Sequence, residues 1–272
     1  MRHPRLNYRF ILRGLLLGLP IAILAPALWI YLNSPWGQPP APTPPPPTIQ
    51  VPAGEAPPGF TGLRMWARYR AEDHHPVGSG FFLRLAEGEV VGVGAGHSVT
   101  VGDPARPLEQ IAFGLPGAQA LTFAFNTLRG PPGAGGSAQD LTGDYVLLAA
   151  NDAVPENLVQ RPDTRGGPQP GERIWLFSGI GSSPGRRLAG TVQSANDRIF
   201  WVLMDERFEA SQMSGSPLVS QHSGLVVGMA LVGSPRRGRL LIGAQPIGSL
   251  VQRAASSRQY LVLPNLEESW QP

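Results

Sequence analysis

Gly78-Ser79-Gly80-Phe81-Phe82-Leu83, then Val90-Val91-Gly92-Val93-Gly94, then the turn Ala95-Gly96-His97-Ser98-Val99 decide how the rest of the chain is read. Two short apolar runs are punctuated by glycine, and the second leads directly into a histidine. Runs of this length, rich in Val and Phe and bounded by turn formers, read as strands. The same grammar recurs along the chain in about twelve segments, among them Leu63–Arg70, Gly80–Leu85, Tyr145–Ala150, Arg173–Ser178, Pro217–Ser220 and Leu240–Pro246. Asp103-Pro104, Pro131-Pro132-Gly133 and Pro168 to Gly171 are among the turn formers between them. Only Ile247 to Ser257 carries a helical apolar spacing, at Ile247, Leu250, Val251, Ala254 and Ala255. Many short strands and one terminal helix predict an all-β domain, either a sandwich or one or two barrels.

Composition agrees. Of 272 residues, 34 are glycine and 30 proline, which favours strands and turns over helices. The formal charge of +3 is concentrated at one end, because Arg2, Arg5, Arg9 and Arg13 precede any acid. The remaining 18 basic residues face 19 acidic ones, so no basic surface for nucleic acid is expected on the domain. Every basic residue is arginine. Cysteine is absent, which excludes disulfides, thiolate catalysis and cysteine-ligated metals.

Gly14 to Leu32 is free of charge for 19 residues, enough to cross a hydrocarbon core of roughly 30 Å as a helix. Trp29 and Tyr31 suit the interfacial region, and the arginines before the segment predict a cytoplasmic N-terminus. Ala25-Pro26-Ala27 also fits a signal-peptidase site, so either an anchor or a cleaved signal is expected, and both export the rest of the chain. Pro35 to Pro58 holds 11 prolines in 24 residues. It reads as a polyproline spacer of about 70 Å at most.

Two further segments carry chemistry. Gly143-Asp144-Tyr145-Val146-Leu147-Leu148 places an acid at the head of an apolar run, and Gln212-Met213-Ser214-Gly215-Ser216-Pro217-Leu218 precedes Gly224-Leu225-Val226-Val227-Gly228. With the histidine turn, these segments resemble the trypsin-like (chymotrypsin-fold) serine proteases, and most of all their cysteine-free bacterial branch of the HtrA type. The resemblance runs from Leu63 to Arg258 and extends to Gly171–Gly185 and Ile242-Gly243-Ala244-Gln245-Pro246-Ile247. It implies two six-stranded antiparallel β-barrels with a C-terminal helix, behind an N-terminal transmembrane helix. It also implies a catalytic triad of His97, Asp144 and Ser214, with an oxyanion hole formed by the N–H groups of Gln212 and Ser214. The implied layout is a basic cytoplasmic end (1–13), an anchor (14–32), a Pro-rich linker (33–60), a protease domain (61–259) and a tail (260–272). Only 14 residues follow Arg258, so no appended PDZ domain is expected.

The triad types follow from the reaction. A serine hydroxyl needs a base to take its proton, the imidazole needs a carboxylate to hold its tautomer, and the oxyanion needs N–H donors. Three positions depart from the family pattern. Gln212 stands where the family has glycine, Ser216 replaces the second glycine after the nucleophile, and Gly96 replaces an alanine. A Cβ at 212 reaches the glycine-like backbone only with strain. The reading is therefore a membrane-anchored endopeptidase acting on exported, periplasmic proteins, or else the same barrels decayed at Gln212 into a binding module. By residue type alone, Asp140 and Asp152 compete with Asp144, His97 could serve as a strand-end histidine, and Ser214 as a turn residue. The family's pocket positions fall on Phe208, Val232 and Gly233, implying small or medium apolar side chains in the substrate. No cofactor or metal is implied. Asp73-His74-His75 lacks a third ligand at metal spacing, and the turn at Gly179 to Gly185 lacks the lysine and the helix of a phosphate loop. The only histidine after Ser214 is His222, eight residues on, which does not suit an α/β-hydrolase.

Overall fold

The computed structural model describes residues 62–263 apart from 119, 134, 151, 152, 181–185, 237 and 258. The segments expected as anchor (14–32) and linker (33–60) and the turn at 181–185 lie outside the described residues. No helix among the described residues is long and apolar enough to cross a membrane.

The first half contains β1 (Leu63–Tyr69), β2 (His75–Arg84), β3 (Val90–Gly94), β4 (Leu108–Gly114), β5 (Phe123–Phe125), β6 (Thr127–Arg129), β7 (Val146–Ala149) and β8 (Val159–Gln160). The second contains β9 (Arg173–Ser178), β10 (Arg186–Ala195), β11 (Phe200–Met204), β12 (Pro217–Ser220), β13 (Val226–Arg236) and β14 (Arg239–Pro246). Helix α1 (Ile247–Ser256) and β15 (Tyr260–Val262) follow. The second half closes as a six-stranded barrel in the order β10-β11-β14-β13-β12-β9.

The first half corrects the expectation of a second closed barrel. Its sheet runs β15-β6-β7-β3-β2-β1-β4-β5, with β8 parallel to β2, and its hydrogen-bond ladder stays open. The reason lies at Asn126, the single residue between β5 and β6. β5 pairs with β4, while β6 pairs with β7. The curve is thus carried around by the chain at Asn126, and the free edge of β6 is taken by β15. Residues 260–262, expected to begin a tail, are therefore the last strand of the first half.

Three apolar clusters result. Phe82, Phe113, Phe123 and Phe125 fill the first sheet with edge-on contacts, Phe82–Phe123 and Phe113–Phe125 each at 5.0 Å between centroids. Ile174, Leu176, Phe200, Val202 and Leu218 fill the closed barrel. Between the halves lie Phe81, Val93, Leu147, Trp175, Val219 and Met229, with Ile247, Leu250 and Ala254 of α1. β2 is buried on both faces, Phe82 toward the first core and Phe81 and Leu83 toward the interface. That explains why Gly78 to Leu83 reads as an unbroken run instead of an alternation.

A polar clamp fastens the segment joining the halves to the second barrel. Arg165 donates from Nη2 to Asp163 Oδ2 at 2.6 Å and to Glu172 Oε1 at 3.0 Å. Ser223 donates to Asp163 Oδ2 at 2.5 Å, and Ser220 donates to Glu172. Both carboxylates are buried. Burial pushes the Asp163 carboxyl up, but the bonds from Arg165 and Ser223 outweigh it and hold the group below the usual carboxylate range. A lowered carboxylate contributes stability above its unfolded pKa and loses it as pH falls through the folded value. Arg165→Met is expected to cost ~3 kcal/mol at neutral pH by leaving two buried charges uncompensated, a fall in Tm of roughly 6–12 °C. The gap from wild type should narrow as pH falls through the lowered Asp163 value, where that carboxyl protonates. Thermal unfolding across pH checks this, and a gap that stays constant to acid pH would contradict it.

Candidate active site

His97 sits on a single 3-10 turn, Gly96–Ser98, that ends β3. Gly96 is buried against the next loop, and a Cβ there would stand 3.0 Å from Tyr145 N and O and 3.2 Å from Asp144 Oδ1. Its small size lets the two loops close, so the departure from alanine tightens the site. Asp144, 4% exposed, precedes β7. Its Oδ1 accepts the His97 backbone N–H at 2.9 Å, and its Oδ2 lies 2.6 Å from His97 Nδ1. A carboxylate can only accept, so Nδ1 is the donor in this contact, and in the neutral imidazole Nε2 is then the acceptor. Nε2 lies 2.9 Å from Ser214 Oγ.

The rival acids separate. Asp140 accepts from the Thr142 N–H and hydroxyl at 2.9 and 2.6 Å and faces Arg198 at 4.0 Å, whereas Asp152 lies outside the described residues. His74 and His75 also have their own contacts. His74 Nε2 lies 2.9 Å from Gln110 Oε1, and His75 stacks on Tyr69 at 5.7 Å.

Ser214 lies in a tight loop ahead of β12. Gly215 has φ +93°, and a Cβ there would meet the Ser79 carbonyl oxygen at 1.9 Å, so no other residue fits. Ser216 lies outside the positive-φ region, so its replacement of glycine costs the backbone nothing. Gln212 has φ +62°, one of two non-glycine residues with positive φ among those described. The left-handed conformation costs a residue with a Cβ about 1–2 kcal/mol. Its exposed side chain avoids any packing conflict. Among the described residues, neither the Gln212 nor the Ser214 N–H meets an acceptor, and both remain able to donate.

Two participants carry no signal in the sequence that singles them out. Ser214 Oγ also lies 3.0 Å from the Leu231 carbonyl, as a donor. Leu231 sits where the β13–β14 register shifts between Ala230 and Val232, which removes its carbonyl from the ladder and aims it at the site. Ser79 Oγ donates to the Gln212 carbonyl at 3.1 Å. No residue type announces a bulge, but Ser79 lies inside the glycine-flanked motif. Of the expected pocket residues, Phe208 is half-buried against the second core and Val232 is 39% exposed. A Cβ on Gly233 would lie 3.2 Å from Ala210 Cβ. A polar cavity of about 870 Å³ lies elsewhere, lined by Asp140, Thr142, Asn196, Arg198, Ser249 and Arg253 among others, and by none of the site residues.

No family model and no curated protein matches the chain. Among solved structures it is similar to the serine endoprotease from Yersinia pestis, at 16% identity and a TM-score of 0.45, over 71% of this chain. It spans 60% of that protein's length.

Proposed function

We propose that the chain is a trypsin-like serine endopeptidase, tethered to a bacterial inner membrane by residues 14–32 and acting outside the cytoplasm on exported proteins. The carrying observation is the relay of Asp144 Oδ2 to His97 Nδ1 at 2.6 Å and His97 Nε2 to Ser214 Oγ at 2.9 Å. In this reading Ser214 attacks the scissile carbonyl while Nε2 takes its proton, and Asp144 stabilises the imidazolium that forms. The oxyanion is received by the Gln212 and Ser214 N–H groups. The acyl-enzyme then forms as Nε2 returns the proton to the leaving amine, and water reverses the sequence.

An extended peptide substrate is supported by β13. Its pairing with β12 ends at Met229, so from Val232 to Arg236 the side opposite β14 is an open, exposed edge. A peptide can pair with such an edge as an added strand. The half-buried Phe208 and the Ala210–Gly233 approach support small or medium apolar side chains at the cleaved bond.

The strain at Gln212 favours a second reading, a binding module with an impaired oxyanion hole. Treating the full-length chain with a fluorophosphonate serine probe separates the two. Labelling of wild type but not of Ser214→Ala is expected, with cleavage of a peptide library after apolar residues. Absence of labelling in the folded protein favours the binding module, and cleavage after arginine overturns the pocket assignment.

A further inference from the structure

The geometry points to Ser79 as a positioning residue for the oxyanion hole, a brace that holds the Gln212 peptide in the left-handed conformation that glycine would adopt freely. The inference rests on Ser214 being the nucleophile. Ser79 is fully buried on β2, in the half of the molecule opposite the nucleophile loop. It touches that loop at three points. Its N–H donates to the Ser214 carbonyl at 2.8 Å. Its hydroxyl donates to the Gln212 carbonyl at 3.1 Å. Its carbonyl lies against Gly215, leaving no room for a Cβ.

A non-glycine residue at φ +62° relieves its strain by turning its flanking peptides, and that turn carries its carbonyl away from its present place. The Ser79 hydroxyl opposes the motion by holding this carbonyl, while its N–H anchors the loop two residues further on. The held carbonyls share their peptide planes with the Met213 and Gly215 N–H groups, which donate to the Ala210 and Ala230 carbonyls. The Gln212 and Ser214 N–H groups lie across the Cα from them, so holding these planes limits the φ and ψ through which the two N–H groups can turn. The hydroxyl is needed because position 212 carries a Cβ. With glycine there, the same conformation stands without help. Ser79 touches neither His97 nor the Ser214 hydroxyl, so it acts on the reaction only through the loop.

The test is a double-mutant cycle on the full-length protein, combining Ser79→Ala with Gln212→Gly and reading fluorophosphonate labelling rate and peptide hydrolysis. Ser79→Ala alone is expected to slow labelling about tenfold, with kcat reduced and KM unchanged, the effect of losing one neutral hydrogen bond in the transition state. In the Gln212→Gly background the same change should cost less than about twofold. The equal-sized pair Ser79→Thr and Ser79→Val isolates the hydroxyl if the alanine variant folds poorly, with threonine expected to retain the rate and valine to lose it. Equal rates for Ser79→Ala and wild type, or an undiminished tenfold loss in the Gln212→Gly background, overturn the inference. A wild-type protein that never labels overturns the nucleophile assignment instead, so the two failures are distinct.

Discussion

Ser214→Ala is expected to lower kcat for peptide hydrolysis by about 10⁶-fold, His97→Ala by nearly as much, and the double variant by no more than either alone. The relay explains this non-additivity. Ser214 Oγ and His97 Nε2 are 2.9 Å apart, and the hydroxyl is a nucleophile only while the imidazole accepts its proton. Removing either partner removes the same event, so a second removal finds nothing left to take. The Ser214 hydroxyl has one proton and two acceptors, His97 Nε2 and the Leu231 carbonyl at 3.0 Å. Steady-state kinetics on the three variants decide the matter. Losses that multiply in the double variant would show that the two residues act independently and would break the relay.

Asp144→Asn is expected to reduce kcat by about 10⁴-fold while leaving Tm nearly unchanged. The aspartate makes two bonds of different kinds. One oxygen takes the His97 backbone N–H at 2.9 Å, and the other takes the Nδ1 proton at 2.6 Å. An asparagine keeps the first bond with its carbonyl, so the turn at 96–98 holds its place. Its NH₂ then faces Nδ1 and forces that nitrogen to act as the acceptor. The ring proton moves to Nε2, which becomes a donor toward Ser214 and can no longer accept. The site keeps its shape and loses its base. A kcat loss below tenfold would remove Asp144 from this role. A large fall in Tm would show that its contribution is to the loop.

Part of this architecture is announced by the residues, and part is visible only in the fold. β3, β9 and β12 are legible to the residue because their apolar runs are short, stiff and closed by turn formers. β2 begins five residues before its expected start, since His75 to Ser79 pairs with β1 without offering an apolar signal. β6, β8 and β15 hold three residues or fewer and exist because a neighbour supplies their hydrogen bonds, so no local pattern encodes them. Closure of the first half turns on one interruption at Asn126, which carries no distinctive signature. At the site, His97 and Ser214 are legible from flanking glycines and apolar strands. Choosing Asp144 over Asp140 requires seeing Thr142 and Arg198 occupy the other acid. The clamp of Asp163, Arg165 and Glu172 is invisible in the sequence, because its serine partners Ser220 and Ser223 come from about 50 to 60 residues away.

The place of β15 has a consequence in time. Tyr260, Leu261 and Val262 pair with Arg129, Leu128 and Thr127, and Tyr260 reaches the Arg129 guanidinium across 131 positions of sequence. A chain made or exported from its N-terminus can form most of the sheet that carries His97 and Asp144 long before its final strand exists. Until then the outer edge of β6 stands open, and the loop of Ser214 follows the histidine turn by more than a hundred residues. His97 and Ser214 stand 117 positions apart, so in a chain made from its N-terminus the relay forms only once the loop ahead of β12 has been added to the histidine and its carboxylate.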